Sequence, residues 1–153
     1  MWRVSETGGP TERRSVYICL VLGASELARL SIERWNADDL DGVYATWDRQ
    51  VMVRPDPYYP DSGELFGAPA ARRFWEDQRA FSGAGRLEIL QERDLGDRCL
   101  IRIRQHIDAP ASGVHGAYEW SYLVTARQGR VALVEFYIDR DAALAAAGLA
   151  ERP

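Results

Sequence analysis

The chain reads as α+β, with helices gathered in its first half and one curved, mainly antiparallel sheet packed against them. Three observations predict this. Apolar residues recur at helical spacing over residues 26–47 and again over 69–81. From residue 86 onward the pattern turns strand-like, with residues 100–107 alternating cleanly. The last third reads as a long β-hairpin, residues 120–125 and 131–138 about Gln128-Gly129, which runs straight into a short helix. Helices grouped ahead of a run of strands pack as one layer on another.

The elements follow in order. A first helix is expected over 26–35, capped by Ser25, with Glu26 at its positive end and Ala28, Ile32 and Trp35 on its buried face. After a break at Asn36-Ala37-Asp38, Leu40, Val43, Tyr44 and Trp47 form the apolar stripe of a second helix. A short strand over 51–54 ends at Pro55-Asp56-Pro57. Residues 58–66 read as a loop with a turn at Pro60-Asp61-Ser62-Gly63. A third helix starts at Pro69, a residue suited to the first helical position, and stops at Gly83-Ala84-Gly85. Strands over 86–92 and 100–107 flank a turn at Gly96-Asp97, and a loop at 109–113 leads to the hairpin.

A chain of 153 residues makes one domain, able to bury about 70% of the surface its unfolded form exposes. The net charge is −4 and all 19 basic residues are arginine, with no basic block. That argues against a nucleic-acid partner, which needs a clustered positive surface. No apolar run approaches the roughly 18 residues of a bilayer span, so no membrane partner is expected. Cys19 and Cys99 form no C-x-x-C pair, as in a reduced, cytoplasmic protein. Arg13-Arg14-Ser15 followed by Val16-Tyr17-Ile18-Cys19-Leu20-Val21-Leu22 imitates a secretory signal with a short apolar core. An extra strand, or an extension outside the domain, are the competing readings. The expected organisation is an N-terminal extension over 1–24, partly disordered, a domain over 25–149 and a tail over 150–153.

Several stretches resemble a known family. These are Ser31-Ile32-Glu33-Arg34-Trp35-Asn36-Ala37-Asp38-Asp39-Leu40-Asp41, Phe74-Trp75-Glu76, and Tyr137-Ile138-Asp139-Arg140-Asp141-Ala142-Ala143-Leu144. Over about residues 25–149 the chain resembles the SnoaL-like branch of the nuclear transport factor 2-like superfamily. The resemblance implies a cone-shaped barrel whose curved sheet wraps around three helices, with a short C-terminal helix. It also implies an apolar pocket between sheet and helices, and a homodimer through the outer face of the sheet. The superfamily includes ketosteroid isomerases, scytalone dehydratases, limonene epoxide hydrolases and polyketide cyclases, besides members that only bind, so the fold does not settle the function.

Strand parity predicts which residues share a face. If the hairpin turns about Gln128-Gly129, Tyr122 faces Glu135 and Trp120 faces Tyr137, with Asp139 near Tyr118. A further register across the 109–115 loop adds Arg102, Arg104 and His106 to that side. The resulting face is aromatic and ionisable, as a ligand pocket is. The opposite face, with Ile101, Ile103, Leu123, Val134 and Phe136, reads as an interface or core. A slip of one residue would invert a strand's assignment.

Asp139 is the first catalytic candidate. It matches the acid that ends the last long strand of polyketide-cyclase members and acts there as general acid/base, and an apolar pocket raises a carboxyl pKa toward neutrality. Equally, it precedes the last helix as a cap. His106 is the second proton carrier, or a structural histidine. Where the cyclases carry a histidine on the penultimate strand this chain has Tyr122, a departure from their pattern. Tyr122 and Tyr137 are expected to orient or polarise a carbonyl, and Trp120 and Trp75 to form walls. Arg104 reads as a partner of Glu135 or a substrate contact, and Arg102 as a holder of an acidic substrate group. The resemblance places Asp56 near the pocket mouth, as a base or a turn residue. The Arg-x-Asp pattern of epoxide hydrolases has no match, since Arg102-Ile103-Arg104 lacks the carboxylate. His106 and His115 without a ligand cluster make no metal site, and no Gly-rich loop cradles a phosphate, so no cofactor is expected. Two functions follow for a hydrophobic small-molecule ligand. One is a cofactor-independent isomerase, cyclase or dehydratase working by proton transfer; the other is a non-catalytic ligand-binding or dimerisation module.

Overall fold

The computed structural model describes residues 21–59, 63–83, 85–109 and 113–150. The readings of residues 1–20 as extension, strand or signal, and of the tail at 151–153, lie outside the described residues.

Helix α1, Ala24–Asn36, buries Leu27, Ala28, Ile32 and Trp35. Its cap is Gly23 rather than Ser25: the Gly23 N–H donates to the Glu26 carboxylate at 2.8 Å, while Ser25 turns inward and is buried. The Glu26 side chain thus satisfies an end that a serine cap was expected to serve. Helix α2, Leu40–Tyr44, is capped by Asp39, which accepts from Gly42 N at 3.0 Å. It stops short of Trp47, because the Thr46 carbonyl already accepts from Val131 N at 2.8 Å and the chain enters the sheet. Val43 and Trp47 still face the core, one from the helix and one from strand β1, Trp47–Arg54. A two-residue strand β2, Leu65–Phe66, forms within the expected loop by pairing with Met52 and Val53. Helix α3, Ala68–Ser82, ends at Gly83 with φ 68°, a left-handed cap that glycine adopts without strain.

Strands β3, Leu87–Asp94, β4, Arg98–Ala109, β5, Val114–Arg127, and β6, Arg130–Tyr137, precede helix α4, Arg140–Ala146. The six strands lie in the order β2-β1-β6-β5-β4-β3, an open sheet in which only β1 and β6 run parallel among the described pairings. Helices α1 to α3 cover its concave face over one core. Helix α4 crosses the other face, where Ala143 and Ala147 pack on Leu100 and Leu123. Arg98 donates to the carbonyls of Ala146 and Ala147, satisfying acceptors at the helix end that would otherwise be unpaired.

Register decides what the sheet presents. The hairpin turns where expected, with φ 54° at Gln128 and 75° at Gly129, the geometry of a two-residue type I′ turn. Arg127 pairs with Arg130 and Ala126 with Val131, as the simple count requires. The next pair is Thr125 with Leu133. Ala132 is therefore an inserted residue, a β-bulge that shifts all later pairs by one. Tyr122 faces Phe136 instead of Glu135, and Tyr137 faces Ser121 instead of Trp120. On the other side Ile101 faces Tyr122 and Ile103 faces Trp120, so Arg102 and Arg104 pair with Ser121 and Glu119. The expected face thus divides: Trp120 and Tyr122 point into the core with Ile101, Ile103 and Phe136, whereas Arg102, Arg104, His106, Glu135 and Tyr137 belong to the outer face.

Candidate functional site

The inner face is built from rings. Trp75 of α3 stands 6.3 Å from Trp35, 6.3 Å from Trp120, 5.7 Å from Tyr122 and 5.9 Å from Phe136, centroid to centroid. Trp120 and Tyr122 stack side by side at 4.8 Å. Alternation along β5 puts both on one side, and the i, i+7 spacing of Ala68 and Trp75 on α3 turns the indole toward them. At the far end of the cluster Tyr59 and Phe74 continue the wall, 5.9 Å apart. There Tyr118 donates to Gln105 at 3.2 Å, and burial pushes both Tyr59 and Tyr118 phenols up.

Between this sheet face and α1 lies a cavity of about 70 Å³, whose walls include Ile32, Trp35, Trp47, Trp75, Tyr122 and Val134. Besides its indoles the wall carries two polar side chains, Ser31 and Tyr122. Thr46 spends its proton on the Val43 carbonyl at 2.7 Å, so the 3.2 Å contact between Ser31 and Thr46 uses the Ser31 proton. That leaves the Tyr122 hydroxyl, which makes no hydrogen bond among the described residues. Burial pushes its phenol well above the ordinary tyrosine value. Tyr122 nevertheless keeps part of its surface accessible, and the two facts agree if that surface faces the cavity. Trp120, 4% exposed, does not line the cavity, and its buried indole N–H has no partner among the described residues. A buried donor left unmet is an exception that calls for water or a ligand.

Among the described residues, no carboxylate or imidazole lines this cavity. Asp139 is exposed and accepts from Ala142 N at 3.0 Å, as the cap of α4. His106 stands on the outer face with its side chain 46% exposed, 3.4 Å from Glu88. Arg104 meets Glu88 at 3.3 Å and Glu119 at 3.1 Å, not Glu135. Glu135 is taken by Arg54 at 2.8 Å and by the Tyr137 hydroxyl at 3.0 Å. Burial, and then the Glu135 carboxylate, push the Tyr137 phenol up to about 12. Arg102 donates to Ser121 at 3.1 Å and to the Ile138 carbonyl at 3.5 Å. Asp56 is 2% exposed, and both its oxygens accept backbone protons: Tyr58 N at 2.8 Å and Ile138 N at 2.9 Å. It closes the turn after β1 and at the same time ties that turn to the end of β6.

The structure therefore brings Trp75, Trp120 and Tyr122 together and separates them from Asp139, His106, Arg102, Arg104 and Tyr137. Ser31 and Phe136 belong to the site region without having been singled out. The signal for Ser31 was its spacing, three residues from Ala28 and four from Trp35 on the buried face of α1. Phe136 lies in the core with Ile101, Ile103 and Val134 as expected, but on the same side as Tyr122, because a simple register count does not include the extra Ala132.

No family model and no curated protein matches the chain. Solved structures do. A nuclear transport factor 2-like protein of unknown function from Burkholderia pseudomallei superposes with TM-score 0.66 at 18% identity, over 79% of this chain and 94% of its own. A Mycobacterium tuberculosis protein in complex with estradiol-17beta-hemisuccinate gives 0.65 at 16%, over 77% and 95%. A putative polyketide cyclase from Sinorhizobium meliloti gives 0.57 at 20%, over 73% and 94%. At these identities the likeness is one of fold. Together with the six-stranded open sheet, the helices on its concave face and the short last helix, it establishes that this chain has the nuclear transport factor 2-like fold.

Proposed function

We propose that the chain binds a compact, mostly apolar molecule bearing a hydrogen-bond acceptor, held in the cavity beneath α1 with Tyr122 as its polar anchor. The observation that carries this reading is the Tyr122 hydroxyl, a donor without a partner among the described residues on a largely apolar, aromatic wall. Sites of this make-up take affinity from apolar contact and orientation from a few polar groups. The raised phenol pKa keeps the hydroxyl protonated at neutral pH, so Tyr122 donates and does not act as a base. With no carboxylate or imidazole on the wall among the described residues, binding without turnover is better supported than proton-transfer catalysis.

Size narrows the ligand. The cavity, at about 70 Å³, is smaller than the roughly 150 Å³ apolar cavity that admits benzene. A ligand of a few heavy atoms fits as the chamber stands; a ring requires Trp75 or Tyr122 to move aside. The test is a melting-temperature screen with small neutral ketones, ethers and phenols, followed by steroids and polyketide-like aromatics. A ligand at one hundred times its Kd adds about 2.7 kcal/mol to stability, a shift of several degrees in a domain of this size. No shift across the panel overturns the reading, and conversion of a bound compound in the same samples replaces binding with catalysis.

A further inference from the structure

On the face of the sheet opposite the cavity, α4 leaves a narrow cleft beside it. Gln91, Arg93, Arg102 and Ser121 line it from the sheet, and Arg140 and Leu144 from the helix. The pairing explains the assembly. Gln91 lies opposite Arg102, which lies opposite Ser121, while Arg93 lies opposite Leu100 beneath α4. An irregularity between Ile89 and Gln91 sets this register on β3. Three arginines from three elements thus reach one cleft, whose enclosed part, about 10 Å³, has room for one oxygen-sized group.

Their charges are poorly compensated. Arg93 and Arg140 make no ion pair or side-chain hydrogen bond among the described residues. Arg102 is held by Ser121 and the Ile138 carbonyl, and its nearest carboxylate is Glu119, at 3.7 Å. Glu119 is itself shared with Arg104 at 3.1 Å. Arg93 and Arg140 are exposed and Arg102 is half-buried; like charges gathered at one cleft repel one another, and an anion between them reverses the sign of the interaction. Guanidinium groups are suited to this task, since their fixed N–H forks match the oxygens of a carboxylate or phosphate.

We propose that this cleft is an oxyanion-binding site, in which one oxygen of a phosphate or carboxylate group enters between Arg93, Arg102 and Arg140 while the rest of the molecule stays in solvent. The site keeps for Arg102 the acidic-group recognition expected from the sequence, but on the outer face and with partners that sequence spacing does not reveal. It is independent of the cavity.

The test is a titration followed by amide NMR, with inorganic phosphate and butyrate as separate probes at an ionic strength held constant with chloride. The expected result is saturable shifts at Gln91, Arg93, Ser121 and Arg140, with the Tyr122 amide unmoved. The tighter of the two probes identifies the head group. The double variant R93Q/R140Q changes two side chains that hold no other residue, so it keeps the native spectrum, and it weakens binding at least tenfold. Shifts that do not saturate, or an affinity unchanged in R93Q/R140Q, overturn the proposal.

Discussion

At Tyr122 a single hydroxyl separates two behaviours, packing and recognition. Tyr122→Phe keeps the ring contacts with Trp75, Trp120 and Phe136 and removes only a group that has no protein partner. Stability should therefore stay within about 0.5 kcal/mol of wild type. Affinity for an oxygenated ligand should fall about tenfold, the value of one ordinary hydrogen bond. Chemical denaturation and ligand titration on the same variant read the two effects separately. Asp139 should behave in the opposite way. Its carboxylate caps α4, so Asp139→Ala should cost about 1 kcal/mol of stability and leave ligand affinity where it was; lost affinity with intact stability would return Asp139 to the site. That cap was legible in the sequence because its partner, Ala142, is three residues away. The clamp made by Asp56 was only half legible. Its bond to Tyr58 is local, but its bond to Ile138 joins residues 82 positions apart.

Among the elements, the β5–β6 hairpin holds the most information in the fewest residues. Its turn follows from Gln128-Gly129, but the inward aim of Val134 and Phe136 depends on Ala132 being extra. Deleting Ala132 removes the extra residue while Val131 stays opposite Ala126 and Leu133 opposite Thr125, so Phe136 still meets Tyr122 and Glu135 stays outside. The deletion variant should therefore keep cooperative unfolding and the near-ultraviolet circular dichroism of the buried tryptophans. Loss of that signal would show that the aromatic core depends on the local bend the bulge introduces. Helix α2 gives a second case. Leu40, Val43, Tyr44 and Trp47 do form one buried stripe, yet the helix ends before Trp47 because β6 offers its backbone a better partner. Apolar spacing identifies a buried face and leaves open which element carries it.

At the scale of the whole molecule, alkaline pH tests how the two faces of the sheet are built. Tyr44, by burial first and then the nearby Glu76 carboxylate, and Tyr137, by burial and then Glu135, both have phenols raised to about 12 from 10. The folded chain holds these protons between pH 10 and 12, where the unfolded chain has released them, so the contribution is complete below pH 10 and disappears as pH rises through 12. Melting temperature should fall across that window, with protons released on unfolding at pH 11; a flat profile in calorimetry would contradict the burial of both phenols. By itself, the sequence determined the fold class, the order of most elements, the hairpin turn and the aromatic character of β5, because each depends on local propensity or on a period short enough to count. Only the tertiary structure decided which residues share a face. A strand alternates every two residues, so one bulge at Ala132 and one register across the β4–β5 loop exchange inside for outside. Those two choices moved Arg102, Arg104, His106, Glu135 and Tyr137 away from the cavity and left Tyr122 on its wall.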